Sequence, residues 1–280
     1  MRSSLIYLFC FIFSITNSVA AESCKCQGKV YTFGIVPQQS ARDTARAWVP
    51  LLRYIEQQTG IRLHFETAPT IPEFEKRLAR EDYDFAYMNP YHYTVFHEHP
   101  GYIAFAKQEA KKLTGILVVR DENPADTLSD LNGDDIAFPA PAAFAATLVT
   151  QATMKKQGIQ YVPYYVRSHD SVYRNVAMGL TSAGGGIDRT LSALDPSVRG
   201  KLKILWRSEP YTPHAFAAHP SVPPEVTQKL LSVMQTLKNT KQGRQVLLPL
   251  KFKGIESANN NEWDPIRKLD IEVLQHLIEK

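Results

Sequence analysis

VYTFGIVPQQSARDTARAWVPLLRYIEQQTGIRLHFET, residues 30–67, decides the architecture of this chain. Val30 to Val36 is a run of β-branched and aromatic residues of the kind that forms a buried strand, and Pro37 stops it. Ala45, Trp48, Leu51, Leu52 and Ile55 then fall on one face of an amphipathic helix that Gly60 closes. Arg62 to Thr67 alternates as a second strand. The same rhythm continues with a helix over Ile71 to Ala79 and a strand over Tyr83 to Met88, broken by Asn89-Pro90. Strands over Tyr102 to Ala106 and Gly115 to Arg120 complete this first unit. Such alternation predicts α/β architecture with largely parallel sheets.

A second unit follows. Thr127 to Leu131 reads as a helical turn and Asp135 to Phe138 as a strand. Ala142 to Gln157 reads as a helix closed by Gly158, and Tyr161 to Val166 as a strand. Ser168 caps a helix that runs to about Met178, after which strands are expected within Leu180 to Asp188 and over Ile204 to Trp206. From Pro224 onwards the pattern is mostly helical.

Composition limits what such a chain does. Its 280 residues are 44% hydrophobic and 21% charged, enough to bury real cores and unlike a disordered or fibrous chain. The 32 basic and 28 acidic residues leave +4, too small and too scattered for a nucleic-acid binder. The first 21 residues read as a cleaved signal peptide: Arg2 gives the positive end, Leu5 to Ile15 the apolar stretch, and Ser18-Val19-Ala20-Ala21 the small residues. Cleavage after Ala20 or after Ala21 fits equally, and a periplasmic location follows. Cys10 leaves with the leader, so the mature chain keeps only Cys24 and Cys26, and its fold cannot depend on a disulfide framework.

Four segments, taken in order, carry a family likeness. They are Val30 to Ser40 (VYTFGIVPQQS), Tyr83 to Tyr93 (YDFAYMNPYHY), Leu128 to Phe138 (LSDLNGDDIAF), and Ser168-His169-Asp170-Ser171-Val172. Together they resemble the periplasmic substrate-binding proteins of phosphate/phosphite/phosphonate ABC transporters over about residues 30 to 240. The resemblance implies a two-lobed, type II periplasmic-binding-protein fold of the α/β class, with two crossing strands and a ligand cleft between the lobes. Lobe one is expected over residues 28–115 plus 212–280 and lobe two over residues 116–211.

In α/β lobes, ligands sit beyond the carboxyl ends of strands, where loops lead into helices. Pro37-Gln38-Gln39-Ser40 occupies such a place after the first strand, with Gln39 and Ser40 the candidate contacts, and Tyr87, Asn89, Tyr91 and Tyr93 do so after the third. The tyrosines offer flat walls and hydroxyls, and Asn89 a side-chain donor beside a kinked backbone. At Phe138 to Phe144 the resemblance implies Ser and Thr gripping an oxyanion, but this sequence has none before Thr147. Backbone N–H groups at Ala142 and Ala143 are expected to substitute, with Phe144 closing over the ligand. The resemblance also places His169 and Asp170 in the cleft, and Tyr211 with Thr212 reads as a cleft wall. His169 is expected to bind as a cation near its usual pKa of about 6.5. Ala183 to Gly186 reads as an open backbone loop where a ligand approaches closely, and Arg189 as a cation within reach of an anion.

His92, His97 and His99 do not make a metal site by spacing, since His92 and His97 lie five apart. Nucleophile elbows, zinc-protease helices and phosphate-binding Gly-Lys loops are all missing, so neither an enzyme nor a cofactor is expected. The expected function is capture of a small oxyanionic ligand by lobe closure and its delivery to an ABC importer. The expected partners are that ligand and the membrane permease, with no nucleic acid, and the protein itself is expected to be a monomer. The alternative is a periplasmic sensor of the same fold that signals to a membrane kinase.

Overall fold

The computed structural model describes residues 28–269 and 271–279. The expected leader and Cys24 and Cys26 lie outside those residues. Eleven strands are described: β1 Val30–Ile35, β2 Arg62–Thr67, β3 Phe85–Met88, β4 Ile103–Gln108, β5 Gly115–Arg120, β6 Asp135–Phe138, β7 Val162–Tyr165, β8 Ala183–Ile187, β9 Leu202–Arg207, β10 Ala215–Ala218 and β11 Ile255–Ser257. The helices that matter to the site are α1 Ala41–Thr59, α2 Ile71–Ala79, α3 Pro90–Glu98, α4 Val149–Lys156, α5 His169–Ala177 and α6 Asp188–Ala193. Among the described residues no helix is long and apolar enough to cross a membrane.

The strands form two sheets, one ordered β11-β4-β10-β3-β1-β2 and the other β7-β6-β8-β5-β9. Both are mixed rather than largely parallel. β1 runs parallel to β2 and β3, and β6 parallel to β7 and β8. β10 is antiparallel to both β3 and β4, and β5 antiparallel to both β8 and β9. The departure has a topological cause. The chain leaves the first sheet after β4 and re-enters it at β10, between β3 and β4, so the returning strand meets its neighbours head to tail. Leu113 and Tyr211 mark the two passages and exchange backbone hydrogen bonds of 2.7 and 2.8 Å.

Local chemistry explains most element ends. Ser40 Oγ accepts from the Asp43 N–H at the start of α1, and Gly60 ends it in the left-handed conformation at φ 70°. Trp48, Leu51, Leu52 and Ile55 are buried on one face of α1, as their spacing requires. The first core is strongly aromatic: Phe33 stacks on Phe85 at 5.6 Å, and Trp48 meets Tyr87 at 4.5 Å. Gly34 is needed there, because a Cβ would stand 2.6 Å from the Tyr83 ring.

Three segments depart from the expected pattern near the strand ends. Asn89-Pro90 opens the helix α3, with Asn89 as N-cap and Pro90 at the first helical position. The expected helix over Ala142 to Gln157 begins instead as a π-turn, Phe144–Leu148, and becomes α-helical only from Val149. Thr147 Oγ1 donates to the Ala140 carbonyl at 2.8 Å, inside that turn. The glycines of 184–186 form no open loop: they lie within the fully buried strand β8. A Cβ at Gly185 would stand 2.0 Å from the Ala146 carbonyl oxygen, and one at Gly115 would stand 2.2 Å from that of Ala145. The π-turn therefore rests directly on the backbones of β5 and β8.

Candidate functional site

The carboxyl ends of strands from both sheets converge on one small cavity. From the first sheet come Val36 and Gln38 after β1, Ile71 at the start of α2, and Asn89 after β3. From the second come the π-turn residues Ala143, Phe144, Ala145 and Ala146, with His169 at the head of α5 and Ile187 at the end of β8. Leu113 and His214, on the two passages between the sheets, complete the wall. Its volume is about 10 Å³, room for roughly one water. A tetrahedral oxyanion is several times larger than this space.

The halves are pinned together around this cavity. Asn89 Oδ1 accepts from the His92 N–H at 2.8 Å, which caps α3, and Asn89 Nδ2 donates to the Ala142 carbonyl at 3.0 Å, across the cleft. The His169 N–H donates to the Gln38 carbonyl at 3.3 Å. Phe144 and Tyr211 meet edge to face at 5.1 Å. Behind Asn89, the buried pair His92 Nε2 and Glu75 Oε1 lies at 2.9 Å.

Hydrogen-bonding capacity at the cavity is unspent. The Ala143 N–H, expected to serve an anion, donates to the Ala140 carbonyl at 3.2 Å. The N–H groups of Phe144, Ala145 and Ala146, at the head of the π-turn, make no hydrogen bond to another described residue. Gln38 and His214 share a contact of 3.0 Å between side-chain nitrogens, and the buried Gln38 Oε1 has no partner among the described residues. Turning the amide over gives Gln38 Oε1 the His214 N–H and leaves an NH₂ facing the cavity. His169 Nδ1 contacts Thr190 Oγ1 at 3.3 Å, and no described residue bonds its Nε2.

Neither histidine is a cation here. Burial, followed by the charge of Arg189, lowers the His169 pKa from 6.5 to about 3. The same two causes, in the same order, hold His214 well below 6.5. The expectation that His169 binds as a cation near 6.5 is corrected: a desolvated imidazole beside a guanidinium stays neutral. A consequence can be measured. Because the folded-state pKa is depressed, the unfolded chain takes up protons first as pH falls below 6.5, and the folded form loses stability there. Urea unfolding should give a constant free energy at pH 7–8. Between pH 6.5 and 5 it should fall by about 1.4 kcal/mol per pH unit for each such histidine. In His169→Gln that slope should be shallower; an unaltered slope would show that His169 is not a buried neutral histidine.

The predicted residues divide among several places. Asn89, Ala143, Phe144 and His169 line the cavity, Tyr211 packs on Phe144, and Tyr87 lies one layer behind His214. Gln39 and Asp170 line a different groove of about 500 Å³ on the rim, with Asp43, Arg46, Arg174 and Asp195. Burial first, then the Asp43 charge, raises the Asp170 pKa. Ser40 serves as the α1 cap. Ala142 contributes its carbonyl to Asn89 but lines another groove, beside Val273 and Leu274.

Tyr91 and Tyr93 face away from the cavity, because α3 turns them into the core of the first half. The Tyr91 hydroxyl accepts from the Leu274 N–H, and the Tyr93 hydroxyl donates to Asn260 Oδ1. Gln38 and His214 were not among the candidate contacts. Gln38 stands beside Gln39 in the loop already singled out, and His214 follows the predicted passage at Tyr211-Thr212-Pro213, so position in the chain marked both.

Known proteins of similar sequence and shape are consistent with one another. The family model "ABC transporter, phosphonate, periplasmic substrate-binding protein" matches residues 33–263. The phosphate-import protein PhnD of Mycolicibacterium smegmatis is 23% identical over 260 residues, covering 81% of this chain and 78% of that protein. A binding-protein component of an ABC phosphonate transporter from Pseudomonas aeruginosa superposes with a TM-score of 0.79 at 18% identity, covering 89% of this chain and 87% of that one. PhnD1 of Prochlorococcus marinus, solved in complex with methylphosphonate, also gives 0.79, at 17% identity, covering 86% of this chain and 98% of that one.

Proposed function

Since this chain belongs to the family of periplasmic substrate-binding proteins of phosphonate ABC transporters, we propose that it captures a small phosphonate- or phosphate-like oxyanion by lobe closure and presents it to the importer's permease. The observation that carries this reading is the row of N–H groups at Phe144, Ala145 and Ala146, bonded to no described residue, at the cavity between the sheets. Such a row suits an anion, since the donors point along the positive end of the helix dipole and need no side-chain hydroxyl. Gln38 and His169 add neutral donors from opposite sides of the cleft.

On this reading the lobes divide at residues 28–115 with 212–280 and residues 116–211, supported by one sheet built from strands within 30–108 and 215–257 and another from strands within 115–207. Residues 1–21 act as a leader removed on export, and the mature chain works as a monomer without cofactor or turnover. Calorimetry with methylphosphonate, phosphite and phosphate tests the reading, with sulfate as a second tetrahedral anion. At least one phosphorus oxyanion should bind at one site per chain and raise the melting temperature. Failure of all three to bind would overturn it.

A further inference from the structure

Behind the cavity lies a second, positively charged compartment. The two share Leu113, Ile187 and His214, so a single layer of side chains separates them. The His214 ring stacks on Tyr87 at 5.1 Å and 15°, and the Arg189 guanidinium lies 5.6 Å from the Tyr87 ring centre. Lys111 and Lys112 line the same space.

The charges of the two spaces differ in kind. No charged side chain lines the cavity itself, whereas three cations line the compartment. Lys111, Lys112 and Arg189 form no ion pair with a described residue. Nearby basic residues are committed: Lys107 is held by Glu256 at 2.9 Å and Glu262 at 2.8 Å. Asp188 is the one carboxylate lining the compartment, and Arg207 neutralises it at 2.7 Å. Lys111 and Lys112 stand exposed at the mouth of the compartment and Arg189 is half-buried beside a buried phenol and imidazole, so the three together give it a positive field that attracts an anion.

We infer that this compartment takes a second anionic group, a carboxylate, on the same ligand whose phosphorus oxyanion occupies the cavity. The ligand class is then a phosphonocarboxylate, with its uncharged linker passing Leu113 and Ile187. This inference rests on the oxyanion reading above, and the test separates the two. Calorimetry would compare 3-phosphonopropionate with propylphosphonate, its counterpart without the carboxylate, in the native protein and in the Lys111→Gln/Lys112→Gln double variant. The native protein should bind the phosphonocarboxylate about tenfold tighter or more, the scale of one charge-assisted contact. The double variant should lose that preference while its affinity for propylphosphonate stays within about twofold, because neither lysine lines the cavity.

Equal native affinity for both ligands would overturn the second subsite and leave the oxyanion reading standing. So would a variant that weakens both alike, which is the mark of a general field. Absence of binding by these two and by methylphosphonate would overturn the oxyanion reading, and the subsite with it.

Discussion

Gly185→Ala should abolish ligand binding and lower folding stability by about 3 kcal/mol or more, the upper end of overpacking costs. The new Cβ would stand 2.0 Å from the Ala146 carbonyl oxygen and 2.8 Å from the Phe138 ring. Backbone cannot yield as a flexible side chain does, so the π-turn must lift from β8 and its N–H groups lose their aim. The control is Gly34→Ala, whose Cβ would meet the Tyr83 ring at 2.6 Å in the core of the first half. It should destabilise the protein while leaving affinity per folded molecule unchanged. Urea unfolding and calorimetry on both variants check this. Undiminished affinity in Gly185→Ala would mean that the π-turn does not hold the ligand.

Asn89→Ala should weaken both the fold and closure, by about 1–3 kcal/mol in total, since it removes a helix cap and a bond across the cleft. The sequence marks Asn89 as a donor to ligand, and the structure shows its amide spent on Ala142 and its carbonyl on His92. Asn89→Asp separates the two roles. An aspartate still accepts from the His92 N–H, but it turns a carboxylate oxygen toward the Ala142 carbonyl. Its melting temperature should therefore stay nearer the native value than that of the alanine variant, while closure suffers at least as much. Small-angle scattering with and without saturating ligand reads closure, and thermal unfolding reads the cap. If both variants close as the native protein does, the Asn89–Ala142 bond is not a latch.

Much of this was legible in the residues. Apolar spacing and capping residues marked α1, α2 and α5, and β-branched runs marked β1 and β5. What the pattern hid was of three physical kinds. β10 reads Ala-Phe-Ala-Ala, short and nearly free of strand-forming side chains, and it is a strand only because β3 and β4 flank it. A strand was expected within Leu180 to Asp188, but its glycines were read as an open loop, whereas they serve close packing by the π-turn, Val172 and Tyr173. α3 was obscured by reading Asn-Pro as an interruption, when the same dipeptide serves as N-cap and first helical residue. That one misreading carried Tyr91 and Tyr93 into the predicted site. Neutral His169 was not foreseeable either, because desolvation depends on tertiary burial rather than on neighbours in sequence.

The insertion of β10 between β3 and β4 also governs the order in which the molecule can assemble. β4 pairs only with β10 and β11, so until residues 215–257 are available it has no partner in its own sheet. The five-stranded sheet has no such wait, because all its strands lie between Gly115 and Arg207. A chain presented N-terminus first therefore completes the second sheet while the first remains an incomplete βαβ fragment with an unpaired edge at β3. Contacts near in sequence form sooner than those that must close long loops. The half that arrives later in the sequence is then the earlier to fold, and the exposed edge of β3 is where a truncated or stalled chain would be most prone to pair wrongly with another.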